Sequence, residues 1–152
     1  MNKDINNSYL SLYSKIEEEI ELEKVVLEVR ELLKFVGYEP TERDNYLIDH
    51  TIRRNDFRIM NLTNLNHIPK GLRYVRIYRV VGEILYNKVL VNEVDIEKLQ
   101  LEPFITSTKI GDTTVSFEKG SESSKQMFLK WVEKHLKNYG SDEINMFKVL
   151  KW

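Results

Sequence analysis

Between Ile68 and Tyr86, apolar residues recur at helical spacing and then spread around the helix. Leu72, Val75, Tyr78, Gly82 and Tyr86 mark one stripe, and Val81, Ile84 and Leu85 widen it until only one flank stays polar. The pattern predicts the central helix of the fold, about 28 Å long at about 1.5 Å per residue. Pro69 suits its first turn, where a missing N–H costs nothing, and Gly82 marks a place where a neighbouring helix can come close.

The same reading orders the rest of the chain. Residues 1–8 are polar and expected to be loose, and Leu12, Tyr13, Ile16 and Ile20 then give at most a surface helix, with Glu17, Glu18 and Glu19 crowding its other side. Leu22, Val25, Val26, Val29, Leu32, Leu33 and Val36 form a stronger stripe that ends at Gly37, with Pro40 closing the exit. Thr41 followed by Asp44 predicts the next helix start, and Leu47, Ile48, Ile52, Ile59 and Leu62 carry its buried stripe. Ser123 with Gln126 opens a last helix whose apolar face is Met127, Phe128, Trp131, Val132, Leu136 and Tyr139, ending at Gly140.

Two segments break the helical pattern. In residues 104–118 apolar and polar positions alternate with period two on either side of Gly111-Asp112, which predicts a β-hairpin. An isolated strand pair is marginal in water, so this one must either fold back on the helices or reach a neighbouring molecule. Residues 141–152 carry Ile144, Met146, Phe147, Val149, Leu150 and Trp152, which either cover an open end of the bundle or dock into a partner's groove. The expected architecture is therefore mainly α: a small helical bundle with a hairpin projecting between the central helices and the C-terminal helix. It divides into an N-terminal extension (1–21), the bundle (22–140) and a C-terminal docking tail (141–152).

The 152 residues suit one domain, and a net charge of −1 does not single out a nucleic acid or a membrane surface as partner. The distribution is more telling than the total. Residues 1–42 are net −5 and residues 43–79 net +5, which suits charge complementarity within the fold or between copies. Arg73, Arg76 and Arg79 repeat at steps of three as one basic strip. A solvated flank, a phosphate-facing surface and a contact with a second subunit's acids are all open readings of it.

Catalytic patterns are missing from the sequence. There is no cysteine, His50, His67 and His135 stand far apart, and no glycine-rich phosphate loop or serine elbow occurs. The chain is expected to be no enzyme, to take no metal or cofactor, and to stay in the compartment where it is made, since residues 1–10 lack the apolar core of a signal peptide and no run approaches a membrane span.

The run TSTKIGDTTVSF from Thr106 to Phe117, followed by a polar loop and a terminal helix, resembles the signature of the head–tail connector (adaptor) family of tailed bacteriophages, which includes prophage-encoded members. The preceding helix pair strengthens the likeness, the first helix opened by Asp44, the second by Ile68-Pro69 and ending in Leu85-Tyr86-Asn87. The resemblance spans Leu22 to Tyr139. It implies a homo-oligomeric ring, usually of twelve copies, in the virion neck below the portal, assembled in the host cytoplasm and extending the channel used in DNA packaging and genome ejection. The implied partners are the portal, a stopper or tail-completion protein and, transiently and nonspecifically, the DNA, with no membrane. By the same analogy Thr106, Thr108, Ile110, Gly111, Asp112, Val115 and Phe117 meet a neighbouring subunit or the next ring, and the tail from Ile144 to Trp152 reaches the portal. Two other readings stay open: a helical DNA-binding or regulatory domain using Arg53, Arg54, Arg58, Arg73, Arg76 and Arg79, and a tail-completion protein one ring lower.

Overall fold

The structure, a computed structural model, describes the backbone of residues 2–101 and 122–150 and the side chains of residues 7–101 and 124–150. Helix α1 (Asn2–Phe35) is continuous, so the stretch expected to be loose is helical from Asn2 and no break separates residues 21 and 22. It stops at Gly37, whose φ of +93° is the left-handed conformation that a glycine adopts without strain. There the N–H of Tyr38 donates to Leu33 O at 2.9 Å, and a Cβ on Gly37 would lie 2.5 Å from Lys98 O.

Helix α2 (Asp44–Thr63) begins with the predicted pair in reversed roles. Asp44 Oδ2 accepts from the Thr41 N–H at 2.8 Å and from the Thr41 hydroxyl at 3.2 Å, so the carboxylate in the first turn does the capping. After the turn at Asn64, a single 3-10 turn (Lys70–Leu72) behind Pro69 leads into α3 (Arg73–Leu90). Helix α4 (Glu122–Val132) runs on into a π turn (Glu133–Lys137), and a reversal at Gly140 sends the chain into α5 (Ser141–Met146).

Helix α3 is central because it is buried nearly all round, its apolar face widened by a flank of buried Arg76, Arg79 and Glu83. Ile77, Val80, Val81, Ile84, Leu85 and Val89 are buried against Val25, Val29, Leu33 and Val36 of α1, Ile48 and Ile52 of α2, and Phe128, Trp131, Val132 and Leu136 of the α4 limb. Each such side chain, fully buried, contributes about 1.5–3 kcal/mol. The close approach expected at Gly82 is there: a Cβ added to it would lie 2.4 Å from Leu136 Cβ and 3.0 Å from Leu136 C. A second, smaller cluster of Ile59, Leu72, Val75 and Ile144, flanked by Ile68 and Tyr139, seals the end where α2 turns into α3.

The mixed architecture expected from the sequence is corrected. Among the described residues there is no β-strand, and the fold is α-helical throughout. Alternation with period two shows that two faces differ in polarity, but a strand pair with no sheet to join is marginal in water, so the pattern alone does not make a strand. Residues 104–118, with Thr106, Thr108, Ile110, Gly111, Asp112, Val115 and Phe117, lie outside the described residues.

Candidate functional site

The three arginines of the basic strip each turn to a different set of partners within the chain. Arg73 pairs with Glu21 and Glu28 of α1. Arg76, 8 % exposed, lies on Asp56 of α2, Nε to Oδ1 at 2.5 Å. Arg79, 6 % exposed, donates from Nε to Tyr139 O at 2.6 Å and from Nη2 to Ser141 Oγ at 3.0 Å. Steps of three rotate a side chain by about 60° each, so the residues of an i, i+3, i+6 series sweep a third of the helix and meet different neighbours. Arg53 and Arg54 also have acceptors in the chain, Asp49 at 2.9 Å and the buried Glu83, which also takes a 2.8 Å hydrogen bond from Asn55.

A second polar cluster, which the sequence did not announce, surrounds Asp44. Its Oδ1 meets Lys88 Nζ at 2.8 Å and its Oδ2 accepts from the Tyr38 hydroxyl at 2.7 Å, while Lys88 also reaches Glu93. Burial alone would raise the Asp44 carboxyl, but hydrogen bonds from Lys88, Tyr38 and the Thr41 N–H outweigh it and bring it down to about 2. Burial and the bond to Asp44 push the Tyr38 hydroxyl up to about 12, and the bonds that Lys88 makes overcome its burial and raise its ammonium. This is a clamp joining the α1–α2 turn to the last turn of α3, with every charge paired.

The tail residues divide. Ile144 is buried in the second cluster, and the Phe147 ring lies on Gly71, where an added Cβ would meet its Cζ at 2.7 Å. The backbone continues along the end of α2: the Val149 N–H donates to Thr63 O at 2.8 Å, and Asn64 Nδ2 donates to Val149 O at 2.7 Å. Met146, 82 % exposed, Leu150, 65 % exposed, and the half-exposed Val149 project from this pinned segment. Trp152 lies outside the described residues.

A further apolar surface lies elsewhere. Residues 7–20 of α1 are exposed on every side, and Tyr9, Leu10, Leu12, Tyr13, Ile16 and Ile20 stand in solvent on this arm. Glu21, paired with Arg73 at the start of α3, is where the helix first meets the body. The described surface includes shallow depressions. One, of about 290 Å³, lies between the end of α3 and Ser124 and Lys125; another, of about 320 Å³, is lined by Leu22, Glu23, Val26, Leu27 and Asp49. Among the described residues no group of three or more His, Asp or Glu converges as a cation site would require, and no helix is long and apolar enough to cross a membrane. His50 stacks on Tyr46 with centroids 6.0 Å apart, and His135 sits by Trp131, its imidazole pushed down by burial and by Lys134. Compared with known proteins, the chain matches no family model, no curated protein and no solved structure.

Proposed function

We propose that the chain is a structural subunit of a tailed-phage neck: a head–tail connector that assembles as a ring against the portal and passes the DNA channel on to a stopper or tail-completion protein. The sequence likeness over residues 22–139 suggests the class, and one structural observation supports it. The tail is held to the body by buried Ile144, by Phe147 on Gly71 and by the two hydrogen bonds at Val149, yet it keeps Met146, Val149 and Leu150 in solvent. A loose tail would lose ordering entropy on binding; a pinned one offers its apolar side chains preorganised, which favours docking on a partner's groove. The regulatory reading has less support, because Arg53, Arg54, Arg73, Arg76 and Arg79 are engaged within the chain.

The test is to mix the purified protein with the portal protein of the same genome and look for rings by negative-stain microscopy and co-sedimentation. Complexes are expected with the native chain and are lost in Met146→Ser/Leu150→Ser. Absence of any complex at high concentration, or tight DNA binding with a steep salt slope, overturns the reading.

A further inference from the structure

Beyond Gly140 the chain leaves the α4 limb and packs somewhere else. Ile144 fills the small cluster with Ile59, Leu72 and Val75, and the Phe147 ring covers Gly71. Val149 is bonded in both directions, its N–H donating to Thr63 O at 2.8 Å and its carbonyl accepting from Asn64 Nδ2 at 2.7 Å. Among the described residues the main core around α3 includes none of this tail, so the tail can lift without opening that core. One residue sets the tail's direction. Gly140 holds φ at +68°, and a Cβ there would lie 2.3 Å from Val75 Cγ2. With right-handed helical angles at the reversal, the α4 limb would run straight on into α5 and carry residues 141–149 about 14 Å out from the body.

We propose that this tail is an exchangeable strap, and that the groove it fills accepts residues 141–150 of a second copy in place of its own. The occupant follows from the fit. Lifting the tail uncovers Ile59, Leu72 and Val75, all buried in the closed chain, and an emptied apolar groove is unfavourable in water. The segment shown to match that groove is the tail itself. A second copy's tail brings the same Ile144, the same Phe147 and the same backbone bonds at Val149, so those contacts are remade. What changes is the bend. The Ser141 Oγ bond to Asn138 O, 2.8 Å long, is given up, and the six-residue α5, too short to hold its shape alone, gains the α4 limb as its preceding turns. Swapping an identical element is for this reason a low-cost route to assembly. Association still costs translational and rotational freedom, so exchange needs high concentration or a weakened closed form. Arg79 holds the strap at home by donating to Tyr139 O and Ser141 Oγ on either side of Gly140. Met146 and Leu150 face outward whichever copy supplies the groove, so the exchange goes beyond the connector reading and does not depend on it.

Gly140→Ala tests the hinge in the full chain. Its methyl is strained at a left-handed φ and presses on Val75, so the closed form is weakened, while the straight form gains helix propensity. Sedimentation is expected to give Gly140→Ala at least twice the mass of the native chain at the same concentration, with helix content by circular dichroism unchanged. Gly140→Ala/Ile144→Ser, whose tail has lost its anchor, is expected to return to the native mass. A second measurement keeps the hinge native, because the chain has no cysteine. Asn64→Cys and Val149→Cys, mixed at high concentration, diluted and treated with a short bis-maleimide, are expected to give a cross-linked heterodimer in excess over the homodimers that either gives alone. A Gly140→Ala chain that folds at the native mass, an oligomer that survives Ile144→Ser, or heterodimers no more abundant than those homodimers overturns the proposal. If Gly140→Ala does not fold, the cross-link alone decides. Portal binding is read with the native hinge and with Met146 and Leu150, so the two readings fail separately.

Discussion

Asp56 and Arg76 face each other across the α2–α3 contact with little access to water, the arginine spanning the carboxylate with Nε and Nη2. Burial pushes the Asp56 carboxyl up, and Arg76 offsets part of that by hydrogen bond and charge. Removing one partner strands the other charge in the interior. Asp56→Ala is expected to cost about 3–5 kcal/mol, while Asp56→Leu with Arg76→Met loses much less, because the double change removes both desolvated charges together. Urea unfolding of the two variants checks the order.

Gly82→Ala sets two effects against each other. Helix propensity alone favours alanine by about 1 kcal/mol. The new methyl, however, would lie 2.4 Å from Leu136 Cβ and within 3.1 Å of backbone atoms of Leu136 and Lys137, which cannot rotate away. Overpacking wins, and a net loss of about 1–3 kcal/mol is expected, read as a lower melting temperature. Gly82→Ser should behave no better.

The Asp44 clamp makes stability depend on acid. Its carboxyl titrates at about 2 in the folded chain against an ordinary 3.8, so its contribution is complete above pH 3.8 and is lost as pH falls from there toward 2. The shift corresponds to about 2 kcal/mol. Unfolding free energies between pH 5 and pH 2 should fall by that amount in the native chain. Asp44→Asn should lack that part of the fall and start from a lower value at neutral pH.

The sequence made the inside of the bundle legible and its partnerships much less so. Helix α3 could be read because its apolar stripe is wide enough to leave only one polar flank, and Gly82 because a glycine inside such a helix has few purposes other than contact. The arginine strip was legible as a spacing, but Glu21, Asp56 and Ser141, far away in sequence, decide where each guanidinium goes. Thr41 and Asp44 marked a helix start, yet the cap direction depended on Lys88 and Tyr38, which hold the carboxylate in place. The stripe from Tyr9 to Ile20 was visible as a surface pattern. That it lies opposite the core face emerges only once α1 is known to be one helix, because a break at residue 21 would have erased the phase relation.

Arg79 links the central helix to the tail, and its replacement is the most informative for assembly. Its two nitrogens hold Tyr139 O and Ser141 Oγ, the residues on either side of Gly140 where the chain reverses into α5. Lysine replaces the planar fork with a single ammonium, whose donors diverge from one point and do not reproduce the spacing that reaches both acceptors from two nitrogens. Arg79→Lys is therefore expected to lose about 1 kcal/mol, most of it local, because the part-exposed acceptors at Tyr139 and Ser141 are held less well. Hydrogen exchange should rise over residues 141–150 while α2 and α3 stay protected. On the proposed connector reading, binding to the portal should weaken in step, since Met146 and Leu150 would no longer be held ready. If exchange rises evenly across the whole bundle, Arg79 acts on global stability alone and the tail's presentation does not depend on it.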